Sequence, residues 1–135
     1  MSWPGLRITV MSTHIDMFGH VNHTRYLEYM EWARFAWAAH HGFPLPELVR
    51  DQGIGPAIIR ANLNFRRECM LGDELLVTAK AMSSRRGIGR IHQEIHDVRT
   101  NERVCDAEMM FVMLDLKARK AVPMPQFFLD QLTEG

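Results

Sequence analysis

Between Thr24 and His40 the apolar positions recur at helical spacing. Tyr26, Met30, Ala33 and Trp37 fall on one face, with Leu27 and Tyr29 beside it, which predicts a buried helix. Arg25, Glu28, Glu31 and Arg34 recur every third residue and drift round the other side. Asn22 is placed to cap the first turn, because its side-chain oxygen can accept from N–H groups two or three residues on. Gly42 ends the helix, and Pro44 is expected to prevent its resumption.

From residue 57 the period changes to two. Ala57, Ile59, Ala61, Leu63 and Phe65 alternate with Ile58, Arg60, Asn62, Asn64 and Arg66, which predicts a strand. Leu71-Gly72-Asp73 reads as a turn, followed by long strands over Glu74–Ser83, Gly89–Val98 and Val104–Leu114. Thr100-Asn101-Glu102 is a tight turn between the last two. In the last strand Cys105, Ala107, Met109, Phe111 and Met113 share a face. A short strand over Arg7–Met11 and a terminal helix over Pro125–Leu132 complete the reading. Short turns between successive strands imply an antiparallel meander.

These elements suit an α+β domain in which a curved antiparallel sheet of about five strands wraps one long helix. The regular strand at 57–65 would be an edge, and pairing with the same strand of a second copy would cover it.

Composition narrows the function. The 135 residues suffice for one domain, residues 1–135, with a real core. Lys+Arg and Asp+Glu number 16 each, so no global charge points to nucleic acid or a membrane surface. No apolar run approaches the roughly 20 residues of a membrane span. Met1-Ser2-Trp3-Pro4-Gly5 lacks the basic-then-apolar order of a secretory signal. Cys69 and Cys105 form no metal motif and read as reduced core thiols of a cytoplasmic protein.

The chemistry concentrates in Asp16-Met17-Phe18-Gly19-His20-Val21-Asn22-His23. A carboxylate stands just before the electropositive start of a helix, where backbone N–H groups lack intrahelical partners. A carboxylate and free N–H donors are what cleavage of an ester-like bond requires. Asp16 can act as general base or as nucleophile, or serve only as a partner of the helix dipole. His20 can orient Asp16 or the water, or satisfy bonds within the turn. His23 matters more for its N–H than for its ring, and Asn22 reads as a cap that can also touch substrate.

Asp16, His20 and His23 offer three ligand types without a fourth, and no metal is assigned to them. His92-Gln93-Glu94-Ile95-His96 resembles a zinc-protease motif with its glutamate one place late. On a strand, positions four apart lie roughly 13 Å apart, too far for one ion. Gly87-Ile88-Gly89 lacks the third glycine of a dinucleotide fingerprint. Around it, Arg85, Arg86 and Arg90 form a local basic patch, either a solvated turn or a clamp for coenzyme A phosphates. Arg60 and Arg66 are further candidates from the edge strand.

The chain resembles hotdog-fold acyl-CoA thioesterases of the 4-hydroxybenzoyl-CoA thioesterase type. The resemblance rests on Asp16-x-x-Gly19-His20-Val21-Asn22-x-x-x-Tyr26-Leu27, then Glu31-x-Ala33-Arg34, Phe65-Arg66-Arg67 and Leu71-Gly72-Asp73-Glu74-Leu75. It implies a catalytic carboxylate at Asp16 and a backbone N–H near His23 that polarises the thioester carbonyl. A contributing histidine at His20 is implied by similarity to acyl-carrier-protein thioesterases. Two positions depart from the pattern: His23 follows Asn22 where a second asparagine is common, and Phe18 stands where an asparagine is found. The implied activity is hydrolysis of acyl-CoA without a bound cofactor, by a homodimer or homotetramer whose site is built across the subunit interface. The alternatives are an acyl-carrier-protein thioesterase and a non-catalytic acyl-CoA-binding module.

Overall fold

The computed structural model describes residues 3–132; Met1 and Ser2, the first residues of the N-terminal stretch, lie outside them. The chain forms β1 (Leu6–Thr9), a 3-10 turn (Ser12–His14), α1 (His23–His40), α2 (Leu45–Gln52), β2 (Ile54–Phe65) and β3 (Glu74–Val77). It continues through β4 (Lys80–Arg85), β5 (Ile88–Asp97), β6 (Arg103–Asp115), β7 (Lys120–Val122) and α3 (Gln126–Leu132).

All seven strands join one antiparallel sheet with the order β1-β3-β5-β6-β2, β4 pairing with β5 and β7 with β6. The sheet curls round α1. Tyr26, Tyr29, Met30, Ala33, Trp37 and Ala38 of the helix are buried, against the inner face of β6, where Cys105, Ala107, Met109, Phe111 and Met113 are buried as their spacing predicted. Leu27, expected beside the buried face, is exposed.

Asn22 caps α1 as expected: its Oδ1 accepts from the Thr24 N–H at 3.0 Å and the Thr24 hydroxyl at 2.9 Å. The helix ends before Gly42, whose φ of +89° suits glycine. Pro44 does not keep the chain from becoming helical again. It sits at the N-cap of α2, with Pro46 in the first turn, where a missing N–H costs nothing.

Three strand expectations need correction. The stretch expected as one strand over 74–83 is broken at Thr78–Ala79 into β3 and β4, which both pair with β5. There the Thr78 N–H donates to Glu94 O at 2.8 Å, while Thr78 Oγ1 accepts from the Glu94 N–H at 3.0 Å. A side chain replaces part of the ladder and lets the sheet bend. The short β7 and the 3-10 turn carry no clear period and were not anticipated. The third correction concerns β2: a bulge between Ile58 and Arg60 leaves Ile59 unpaired. Such a bulge reverses the alternation. Ile58 lies opposite Phe111, and Ala61, Leu63 and Phe65 lie opposite Met109, Ala107 and Cys105, so these four face inward. Ala57 and Ile59 do not share that face. The strand is nonetheless at the sheet's edge, as its pattern indicated.

Candidate active site

The segment before α1 is a closed loop. Ile15 and Val21 form an isolated bridge, and within it the Asp16 N–H donates to His20 O and the Gly19 N–H to Asp16 O, both at 3.0 Å. Gly19 adopts φ +83°, open to glycine at no steric cost. Asp16 Oδ1 accepts from the Phe18 N–H at 2.9 Å, an Asx turn. Two bonds hold the loop to the body: Val21 N–H to Cys69 O at 2.8 Å and Asn22 N–H to His14 O at 3.0 Å.

This loop delivers a half-buried carboxylate to the N-terminus of an 18-residue helix. The N–H groups of Thr24 and Arg25 are both taken by Asn22, at 3.0 and 2.9 Å. The His23 N–H has no acceptor among the described residues. A free donor at a helix start is where an oxyanion would be received. The His23 ring is exposed and stands edge-on to Phe65 at 6.2 Å.

His20 is not directed at Asp16. Its Nδ1 donates to Val21 O at 3.2 Å, its Nε2 lies 3.7 Å from Glu68 Oε2, and its ring stacks on Phe18 at 6.1 Å. Glu68, which carried no pattern in the sequence, is the acidic neighbour of this histidine. Another unanticipated contact supports the loop from below. His14 is buried, and its Nδ1 accepts from the Met11 N–H at 3.2 Å and the Tyr29 hydroxyl at 2.8 Å. Only the fold brings residues 11, 14 and 29 together.

Both cysteines are free and buried. Burial pushes the Cys105 thiol up to about 12, and also raises Cys69, so neither supplies a thiolate nucleophile. Burial, with the bond to Cys69, likewise keeps the Tyr26 phenol protonated. Among the described residues no three His, Cys, Asp or Glu side chains converge as a metal site. His92 and His96 both turn to Glu94, at 2.7 and 2.8 Å.

The arginines lie elsewhere. Arg85 pairs with Ile88 across a two-residue turn, Arg86-Gly87, at the start of β5. The Asp16 loop, through Cys69 and the adjoining turn into β3, lies at the Asp97 end of β5. The two ends are about 30 Å apart along the strand. Arg90 is ion-paired with Glu108, whereas Arg85 and Arg86 are exposed. Arg60 is exposed on β2 and Arg66 is ion-paired with Asp106. One chain therefore gathers Asp16, His20, Asn22 and His23, and does not bring Arg60, Arg85, Arg86 or Arg90 to them.

A carboxylate held in a closed loop at a helix start, inside a curled antiparallel sheet, is the arrangement the motif implied. The family model of the thioesterase-like superfamily matches residues 10–132. The chain belongs to this superfamily. It is 32% identical over 116 residues to the long-chain acyl-CoA thioesterase FadM of Escherichia coli K12, covering 86% of each chain. Among solved structures it is similar to the probable thioesterase YbaW of Escherichia coli, with 28% identity, TM-score 0.76 and 96% of each chain covered. The fold also matches a 1,4-dihydroxy-2-naphthoyl-CoA thioesterase of Synechocystis, with TM-score 0.87, 19% identity, and 97% and 96% of the two chains covered. The hotdog fold and the membership in an enzyme family of thioester hydrolases expected from the motif are borne out. No helix among the described residues is long and apolar enough to cross a membrane.

Proposed function

We propose that this chain, as a single domain, hydrolyses acyl-CoA thioesters to the free acid and coenzyme A. One observation carries the assignment: the Asp16 carboxylate precedes a helix whose first N–H, that of His23, is unclaimed among the described residues. The carbonyl oxygen of the thioester sits against the His23 N–H, where the helix dipole and the donor favour developing negative charge. Asp16 either takes the proton from water or attacks the carbonyl itself to form a mixed anhydride. The thiolate of coenzyme A is a good leaving group, so one carboxylate and one oxyanion donor suffice, without metal or cofactor. Asn22 holds the first turn in shape, and His20 braces the loop through Val21 and Glu68.

The separation of Asp16 from the arginines favours a site shared between two copies. If β2 pairs antiparallel with β2 of a partner, the partner's Phe65 end meets this chain's Ile54 end. The partner's Arg85 and Arg86 turn then lies at the Asp16 end of this chain, where it can grip the phosphates of coenzyme A. Arg60, on the paired strands, lies between. The reading is of a cytoplasmic homodimer, or a tetramer made of such dimers.

Release of thiol from a panel of acyl-CoA and acyl-carrier-protein substrates tests the assignment. Asp16→Asn, nearly isosteric, is expected to lower kcat by at least about 100-fold, as for loss of an essential base or nucleophile, while acyl-CoA binding survives. His20→Ala is expected to cost about tenfold, in line with a bracing role. A folded Asp16→Asn variant with near-normal turnover refutes the mechanism. Binding without turnover in the unaltered protein would make it a binding module, and preference for carrier-bound substrate would move the basic turn to an acidic carrier surface.

A further inference from the structure

The stem of the Asp16 loop is tied to α1 by a buried pair. His14 is 8% exposed and Tyr29 is fully buried, and their rings meet edge-on with centroids 5.3 Å apart. The Met11 N–H points at Nδ1 of His14, 3.2 Å away. A backbone N–H can only donate, so Nδ1 is an acceptor and the neutral ring carries its proton on Nε2. The Tyr29 hydroxyl, 2.8 Å from the same nitrogen, must then be a donor as well. The Trp32 ring stands against both partners, 6.1 Å from His14 and 5.6 Å from Tyr29. Arg25 adds a second tie from the helix, its Nη2 donating to Thr13 O at 3.2 Å.

His14 stands where the two halves of the candidate site meet. Along the chain it leads through Ile15, which is bridged to Val21, directly into Asp16. Across the loop its carbonyl accepts from the Asn22 N–H at 3.0 Å, and Asn22 is the cap that precedes His23. A shift of His14 would therefore move the carboxylate and the His23 N–H relative to each other. The bonds inside the loop, Asp16 N–H to His20 O and Gly19 N–H to Asp16 O, hold its shape but not its seat on the helix. Resting on the acyl-CoA reading above, we infer that Tyr29 and His14 are positioning residues for the hydrolysis: the bond between them sets the seat of the Asp16 carboxylate relative to the His23 N–H. Neither side chain touches the thioester. Their part is to keep the carboxylate and the oxyanion donor in register, where a misplacement of about 1 Å can cost about 100-fold in rate. A hydrogen bond suits this task because it is directional, and so fixes the rotation of the His14 ring as apolar packing would not.

The test compares the unaltered protein with Tyr29→Phe, His14→Leu, His14→Asn and the double variant Tyr29→Phe/His14→Leu. Circular dichroism and thermal unfolding verify each fold, and kcat and KM are measured well below the unfolding midpoint on the best acyl-CoA of the panel. Tyr29→Phe removes only the hydroxyl. It is expected to lower kcat about tenfold with KM within about twofold, as for an interaction felt only in the transition state. The side-chain oxygen of asparagine can stand in for Nδ1 as acceptor, so His14→Asn is expected to keep at least about a third of kcat, whereas His14→Leu loses at least about tenfold. The double variant is expected to fall no further than His14→Leu, because both changes cut one bond. A folded Tyr29→Phe protein with unaltered kcat overturns the inference. Equal losses in His14→Asn and His14→Leu, or losses that multiply in the double variant, overturn it too and make the pair ordinary core residues. Should the His14 variants fail to fold, Tyr29→Phe decides alone. Absence of turnover in the unaltered protein would overturn the acyl-CoA reading itself, a result that no difference among the variants can imitate.

Discussion

Nη1 of Arg34 donates to Oε1 of Gln93 at 3.1 Å, joining the middle of α1 to the middle of β5. Gln93 is fully buried, and its Nε2 donates to Met30 O at 3.0 Å and Thr78 O at 3.1 Å. One amide therefore satisfies the helix backbone, the break between β3 and β4, and a guanidinium that burial pulls below its ordinary pKa against the pull of Glu31. Gln93→Leu keeps the bulk and removes all three bonds. The expected loss is about 3 kcal/mol, since orphaned buried polar groups cost more than the bonds gained. Urea unfolding measures it, and a loss below about 1 kcal/mol would show that water or rearrangement replaces the amide.

Three carboxylates of the sheet predict the behaviour in acid. The guanidinium of Arg66 and the amide of Asn64 hold Asp106 below the usual carboxylate range against its burial. Burial raises Asp97, but its bonds to Arg67, at 2.5 Å, and to the backbone of Arg99 and Thr100 outweigh it. Glu94 is likewise raised by burial and lowered more by His92, His96 and Arg103. A carboxylate depressed in the folded state stabilises it above the unfolded pKa of about 4, and that stability is lost as pH falls through the folded pKa. Stability is therefore expected to be level above about pH 5 and to fall progressively below about pH 4. Unfolding midpoints from pH 2 to 7 check this. Asp97→Asn should lower the plateau and flatten the acid limb, whereas an unchanged slope would exclude Asp97 as a contributor.

The motif around Asp16 and the long helix were legible because each rests on local rules: a cap, a glycine turn and a 3.6-residue period. The face of β6 was legible for the same reason, an unbroken alternation from Cys105 to Met113. What escaped depends on partners far along the chain. The bulge at Ile59 is set by pairing with β6; until that pairing forms, nothing distinguishes Ile58 from Ile59. The bend at Thr78 needs Glu94 opposite. The contact between His14 and Tyr29 needs the loop closed onto the helix. The arginine patch was visible in sequence, but its distance from Asp16 was not, because distance along β5 appears only with the register.

The open edge of β2 predicts a position-dependent effect of proline. The Arg66 N–H donates to Val104 O at 2.9 Å, so by antiparallel alternation the N–H groups of Asn64 and Asn62 point to β6 and those of Phe65, Leu63 and Ala61 point outward. Ala61→Pro removes an outward donor and is expected to weaken self-association and turnover together, with the fold retained. Asn62→Pro removes a donor to β6 and is expected to destabilise the fold itself. Sedimentation and circular dichroism distinguish the two. A dimeric, fully active Ala61→Pro variant would exclude β2 as the interface strand.

Arg86 couples backbone strain to proposed binding. It has φ +55° and Gly87 has φ +76°, the pair of positive angles of a type I′ hairpin, where asparagine or glycine is favoured first. Arg86→Gly relieves a side chain held in the left-handed region, and stability is expected to rise by about 0.5–1 kcal/mol. If the guanidinium grips a phosphate of coenzyme A, the same change raises KM for acyl-CoA with kcat little altered, as for loss of uniform binding. KM of the unaltered protein should then also rise with salt, because exposed charge pairs are screened. A truncated thioester without the nucleotide should be insensitive to both. Arg90, already paired with Glu108, should show a smaller effect than Arg86 when changed to Ala. A variant that is more stable and has an unchanged KM would make Arg86 a strained, solvated turn residue, and would leave Arg85 and Arg60 as the cations to test.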